Sequence, residues 1–119
     1  MCIRDRLIGE VCQDIYVFGA VDRMSPEAPV PVLKKSRKEY KDGMAGNVFE
    51  NLHSMSNNNL EIHFYCNVKQ KIKKIRYIDE KSKYQILRYD IEKKINPFNE
   101  NEINEFEYDA VVILSLIHI

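Results

Sequence analysis

Six residues of this 119-residue chain have types and settings suited to holding a polar small molecule. Asp14 follows the strand-like run "LIGEVC", and in open α/β sheets ligands gather at the carboxyl ends of strands. A carboxylate there can accept hydrogen bonds from two hydroxyls of a polyol, or make a local turn. "DGMAGNV" (42–48) sets Gly43 and Gly46 at a helix entrance, where a missing Cβ lets backbone approach a ligand and the first N–H groups point outward. Asn47, beside that entrance, can donate and accept toward sugar hydroxyls, or cap the helix. The spacing is not that of a phosphate-binding GxxxxGK[ST] loop. Arg76 and Arg88 come from "IKKIRYI" and "YQILRYD", two strand-like runs flanking "DEKSK". With "KSK" as the hairpin turn the two arginines stand opposite each other. Like charges so placed call for an anion, such as phosphate or carboxylate, between them.

Other chemistry finds less support. Cys2, Cys12 and Cys66 show no CxxC spacing and no nearby histidine pair, so no metal site is expected and a reduced, cytoplasmic compartment is. His53 and His63 read as surface or cross-strand residues. Lys69, Lys71, Lys73, Lys74 and Arg76 form a basic run beside Tyr65 and Tyr77, a pattern that can bind nucleic acid but more often is a solvated face. Net charge is zero, which gives no global grip on nucleic acid or an anionic membrane. The longest apolar run, Ala110 to Leu114, is far short of a membrane span, and no signal peptide is visible.

The elements that must position these residues begin with a question about the ends. "MCIRDR" and "LSLIHI" are related through DNA: ATG-TGT-ATA-AGA-GAC-AG encodes the first five residues, and its reverse complement spells Leu114 to His118. That sequence matches a transposase adapter used in DNA library preparation. Residues 1–6 and 114–119 are therefore expected to be adapter-derived, leaving 7–113 with a charge of about −1. Within it, Leu7–Cys12 reads as a buried strand and Ile15–Val21 as an extended run bent at Gly19. "SPEAPVPVL" follows; proline fixes φ and lacks a donor, so the segment should be extended, as a protected edge or a stiff cover over a pocket. "KKSRKEYKDG" reads as a basic connector. Apolar residues at 45, 48, 49, 52 and 55 predict a helix ended by "SNNN". Leu60–Cys66 alternates as a strand does, and 72–90 is the hairpin. "NPFNENEINEF" predicts a loop and a short helix capped by Asn99 or Asn101. "YDAVVIL" predicts a strand covered on both faces. The order gives an α/β fold, a parallel core with an antiparallel appendage.

Taken together, "LIGEVCQDIYVFG", "DRMSPEAPVPVLK" and "GMAGNVFENL" resemble the N-terminal part of ribokinase-like (phosphofructokinase B family) carbohydrate kinases. They are most similar to the branch that phosphorylates heptose phosphates, whose "RISPEAPVPV" and "GGAANVA" appear here as "RMSPEAPVPV" and "GMAGNVF". The resemblance covers nearly all of 7–113. Asp42 stands where the family has the first glycine of a pair, Phe49 replaces a small residue and Glu10 replaces the usual Asp. Between Cys66 and Lys71 the family's extra helix and strand are missing, as in a divergent branch.

The resemblance implies a partial Rossmann-type parallel sheet with a β-lid appendage, its lid pieces at about 15–33 and 72–90. It implies that Asp14 and Asn47 bind sugar hydroxyls, that Gly43 and Gly46 allow close approach, and that Arg76 and Arg88 take a substrate phosphate. The longer parent would be an ATP- and Mg2+-dependent kinase of a sugar or sugar phosphate, with a homodimer through the lid as a further expectation. Its catalytic Asp and nucleotide site belong to a C-terminal half. This chain is then expected to bind no cofactor and to be inactive alone. Two other classes stay open: a catalytically silent sugar-binding or interaction module, and a small basic nucleic-acid-binding domain resting on the Lys69–Arg76 run.

Overall fold

The computed structural model describes residues 2–56, 59–68, 71–99 and 108–114. Along them run β1 (Ile3–Gly9), β2 (Val11–Met24), β3 (Pro31–Met44), α1 (Ala45–Met55), β4 (Leu60–Tyr65), β5 (Ile72–Asp79), β6 (Gln85–Ile91) and β7 (Ala110–Leu114). They fall into two compact units. One comprises Met1–Cys12, Asp42–Ile72 and Glu92–Ile119; the other comprises Gln13–Lys41 and Lys73–Ile91. The α/β class with a parallel sheet is as the sequence predicts.

The first unit is built on a sheet of order β4-β1-β7. β1 pairs in parallel with β4, from Ile3↔Leu60 to Ile8↔Tyr65, and with β7, from Asp5↔Ala110 to Gly9↔Leu114. Leu7, at its centre, is fully buried, which stabilises the fold by roughly 1.5–3 kcal/mol. α1 has the predicted apolar period and packs on β1 and β4, with Phe49 stacked on Phe64 at 5.1 Å between ring centres. Gly9 makes room for it: a Cβ at that position would lie 2.7 Å from Cβ of Ala45.

Two expectations for this unit are corrected. Leu7–Cys12 is not one strand; it breaks at Glu10, whose carbonyl turns to accept the Ala45 N–H at 2.9 Å. β7 is not covered on both faces. It is the edge strand of its sheet, and Val111 and Ile113 are 53% and 70% exposed. Residues 3–6, set apart by the DNA relation, pair within β1, yet Asp5 Oδ1 and Arg6 Nε are buried without hydrogen-bond partners. The predicted short helix near 99–107 lies almost wholly outside the described residues.

The second unit is a four-stranded sheet of order β3-β2-β5-β6, larger than the hairpin appendage expected. β2 continues to Met24, and Gly19 lies inside it rather than at a bend. Its role is close approach: a Cβ there would sit 2.3 Å from the Lys34 carbonyl oxygen on β3, the neighbouring strand. "KKSRKEYKDG" is not a connector but most of β3. Strand ladders are made by backbone, so an edge strand needs no apolar alternation, and its charges discourage pairing with other chains. The proline cluster divides in two. Residues 26–30 bend, closed by the Ser25 N–H on the Val30 carbonyl at 2.7 Å. Pro31 then opens β3, a strand position that tolerates a missing donor.

The close approach at Gly19 makes a prediction. Gly19→Ala must push β3 away from β2, because the opposing atom is backbone and cannot rotate aside. A loss of about 1–3 kcal/mol in urea unfolding is expected, and an unchanged midpoint would contradict the packing.

Candidate functional site

Asp14 lies on β2 and Arg76 on β5, neighbouring strands of the second unit's sheet. Arg76 Nη1 donates to Asp14 Oδ1 at 2.9 Å, and the two side chains are only 21% and 19% exposed. The same guanidinium lies 5.3 Å from the ring centre of Tyr16, and Lys41 Nζ lies 5.6 Å from it. Asp14 is thus fixed by one cation, which in turn rests on an aromatic face.

The hairpin has the register expected from its turn, with Arg76 opposite Arg88 and a shift between Tyr77 and Ile78. The Asp79 N–H reaches the Tyr84 carbonyl at 2.9 Å, and Lys83 takes φ 64° in the turn. The like-charge conflict is resolved without a foreign anion. Arg76 pairs with Asp14, while exposed Arg88 forks onto Asp90 at 2.8 and 2.9 Å. The Arg88 hydrogen bond holds the Asp90 carboxyl below its usual range.

Gly43, Gly46 and Asn47 belong to the first unit. Both glycines are buried and Asn47 is exposed on the first turn of α1. Asn47 does not cap the helix. Met44 stands at the cap with φ 58° and no side-chain bond, and the Ala45 N–H is taken by Glu10. The site residues predicted from sequence therefore form one bonded pair, Asp14–Arg76, one opposed cation, Arg88, and a separate cluster at the α1 entrance.

Further features of both units escape sequence reading. Glu80 gathers Arg37 Nε at 2.9 Å and Ser36 Oγ at 2.9 Å, and its own N–H donates to the Gly19 carbonyl at 2.9 Å. Arg37 also contacts Glu39 and lies 3.8 Å from the Phe18 ring centre. Beside them an open groove of about 800 Å³ is lined by Gly19, Val21, Lys34, Lys35, Glu80 and Lys81, among others. In the first unit, Tyr108 Oη lies 3.2 Å from Arg6 Nη1 and 3.3 Å from His63 Nδ1, and His63 Nε2 lies 2.7 Å from Glu61 Oε1. Buried Asn67 bonds the backbone of Val11 through both ends of its amide. No spacing rule connects such partners.

Lys69 lies outside the described residues; Lys73, Lys74 and Arg76 alternate along β5 and so fall on two faces rather than forming one basic patch. Among the described residues no group of three His, Cys, Asp or Glu could hold a metal ion. No helix among them is long and apolar enough to cross a membrane. Cys2 is exposed, Cys12 buried and Cys66 half-buried, all as free thiols, and burial pushes the Cys66 thiol up.

With this geometry in hand, comparison with known proteins is informative. No family model matches the chain. Over 48 residues it is 54% identical to the bifunctional protein HldE of Hyphomonas neptunium, covering 40% of this chain and 10% of that protein. Over 46 residues it is 52% identical to the D-beta-D-heptose 7-phosphate kinase of Bordetella bronchiseptica, covering 39% of this chain and 15% of that protein. The resemblance to heptose-phosphate kinases holds. The matched segments span only about a tenth to a seventh of those relatives' lengths. Among solved structures, the chain is similar to phosphofructokinase-2 from Escherichia coli in complex with fructose-6-phosphate, with a TM-score of 0.41 and 14% identity, covering 96% of this chain and 45% of that one.

Two predictions come from these contacts. Asp14→Asn and Arg76→Gln should be non-additive, with a coupling of about 0.5–3 kcal/mol in a double-mutant unfolding cycle; additive effects would mean that the bridge contributes nothing. The second concerns acid. Ser82 lowers the Asp79 carboxyl, Arg37 lowers Glu80 and Arg88 lowers Asp90, in each case by a hydrogen bond to the charged form. The folded chain then binds these protons less readily than the unfolded chain does. Their stabilisation is fully present above the ordinary carboxylate range and is lost as pH falls through the lowered values. The melting temperature should be level above about pH 5 and fall below about pH 4, with Glu80→Gln flattening part of that fall. A melting temperature constant from neutral pH to about pH 3 would rule this out.

Proposed function

We propose that this chain is the sugar-binding, N-terminal part of an ATP-dependent carbohydrate kinase that transfers the γ-phosphate to a hydroxyl of a sugar or sugar phosphate. The observation that carries the reading is the identity of 52–54% over 46–48 residues to heptose-phosphate kinase sequences. Its chemistry can be written on the residues present. Asp14, held by Arg76, accepts hydrogen bonds from sugar hydroxyls. Within the first unit, Asn47, exposed on α1, donates and accepts toward a sugar hydroxyl, and Gly43 and Gly46 allow close approach of backbone at the helix entrance. Arg88 takes a substrate phosphate in place of Asp90, since both offer two oxygens to the paired N–H donors of the guanidinium.

On this reading, ATP and magnesium belong to the longer parent. When bound there, ATP supplies the phosphoryl group and magnesium offsets its charge. This chain's part is to bind and orient the acceptor sugar, without catalysing transfer alone. Two finer points belong to the same reading. The parent pairs as a homodimer through the second unit's sheet, where Tyr84, Leu87 and Tyr89 are 74%, 58% and 54% exposed. It works in the cytoplasm, in keeping with Cys12 and Cys66 standing outside any disulfide.

The test is calorimetric titration of the chain with D-beta-D-heptose 7-phosphate and with the unphosphorylated heptose, for wild type, Asp14→Asn and Arg88→Gln. Expected are binding of the phosphate ester by wild type, a loss of about tenfold or more in each variant, and no ATP turnover. A folded chain that binds neither ligand would sink the proposal. Phosphate transfer by the chain itself would refute its inactivity.

A further inference from the structure

The groove of about 800 Å³ lies wholly within the second unit. Residues 19–22 of β2, 34–36 of β3 and 79–81, where β5 runs into its turn, line it. At Gly19 the backbones of β2 and β3 meet with no side chain between them. Asp14 is on the same continuous strand, five residues before Gly19, about 17 Å at strand rise. The groove is therefore a separate place from the Asp14–Arg76 pair.

By formal charge its lining balances: Lys34, Lys35 and Lys81 against Asp22, Asp79 and Glu80. The acids and the lysines differ in how they are bonded. The Asp79 carboxylate accepts the Ser82 hydroxyl at 2.6 Å and the Ser82 N–H at 3.3 Å, together with backbone bonds from Lys81 and Val21. Glu80 accepts Arg37 Nε and Ser36 Oγ, both at 2.9 Å. These two carboxylates are turned to the fold, and Arg37 raises the count to four cations against three acids. The lysines have no such bonds. All three are exposed, and among the described residues none has a carboxylate within ion-pair distance. An anion entering here gains ammonium partners without displacing any contact of the fold.

We propose that this groove binds a phosphate group, free or on a small ester, through Lys34, Lys35 and Lys81. An ammonium is a compact charge with three rotatable donors, which suits a tetrahedral oxyanion without demanding a fixed fork. The groove is larger than one phosphate, and Ala20 and Val21 give an ester's organic part a small apolar surface to rest on. Asp22 is exposed and in none of the described ion pairs, so it opposes the anion and keeps affinity modest. The site does not depend on the role proposed for Asp14.

The test is an NMR titration of the full nitrogen-labelled chain at constant ionic strength, with inorganic phosphate, glycerol phosphate and chloride. Both phosphates should give saturable shifts at the amides of residues 19–22, 34–36 and 79–81, and chloride none. Lys34→Gln and Lys81→Gln should each weaken binding by about two- to fivefold, the range of one exposed ion pair, and Asp22→Asn should tighten it by as much. These side chains are exposed, so the variants keep the fold. Asp14→Asn should leave the phosphate shifts as they are. Tighter binding of the ester, with added shifts at Ala20 and Val21, supports the site and makes its ligand an ester; equal affinity supports it for free phosphate. Shifts that do not saturate, that chloride reproduces, or that both lysine variants leave unchanged overturn the site. Binding that Asp22→Asn does not tighten, or that Asp14→Asn abolishes, also overturns it. The sugar-phosphate reading is decided separately, by the heptose titration.

Discussion

β1 presents N–H and C=O groups along both of its edges, and each such group buried without a partner costs about 1–3 kcal/mol. Pairing with β4 on one side and β7 on the other satisfies both rows. Because both partners are parallel to β1, neither can be reached by a tight turn, and the chain must travel before it returns. That requirement organises the rest of the first unit. α1 lies on the return path to β4, packs across β1 and β4, and starts so close to the end of β1 that only glycine fits at position 9. The N–H of Ala45 then finds the Glu10 carbonyl within reach, so the helix entrance and the β1–β2 junction are fixed together.

The second unit answers a different demand, which is to place many charges on thin sheet without leaving any in conflict. Three of its four arginines are given a carboxylate: Asp14 for Arg76, Asp90 for Arg88, and Glu80 with Glu39 for Arg37. Two of these guanidinium groups also lie over rings, Tyr16 and Phe18, which gives their flat faces a partner that water would otherwise supply. Exposed pairs of this kind add little energy individually. Their effect is geometric, since a carboxylate with a bonded cation keeps one orientation. The half-buried Asp14–Arg76 pair is where that matters most, because the bond to Arg76 holds the Asp14 carboxylate in one orientation.

What could be read from sequence follows from how local each signal is. α1 was legible because its apolar residues repeat at helical spacing, β4 because it alternates, and the Arg76–Arg88 register because a short turn fixes the pairing of both flanks. β3 was not legible: "KKSRKEYKDG" has neither apolar alternation nor β-branched residues, and it is a strand because its backbone completes an edge beside β2. Gly19 looked like a bend for want of any sign that Lys34 would come within contact of it. Asp14 and Arg76 could each be singled out, but not their bond, which joins residues 62 positions apart. Asn67 gave no signal at all, since an amide on its own says nothing about a backbone partner 56 positions earlier.

Backbone pairing is indifferent to side chains, and the start of β1 shows both sides of that fact. Ile3 to Arg6 join the β4 ladder in the same register as Leu7 and Ile8. The side chains obey other rules. A central parallel strand faces packing on both sides and favours Val, Ile and Leu, whereas "RDR" places an acid and an arginine there, with Asp5 Oδ1 and Arg6 Nε left buried and unbonded. Arg6 is partly compensated by the rings of Tyr65 and Tyr108 and by the Tyr108 hydroxyl. Asp5 Oδ1 has no such relief. The mismatch lies in "RDR" and ends at Leu7. Leu7, one residue on, is the best-buried side chain described in the chain. From Leu7 onward the strand packs through apolar side chains, whereas before it Arg6 packs between rings and Asp5 keeps a buried, unbonded oxygen.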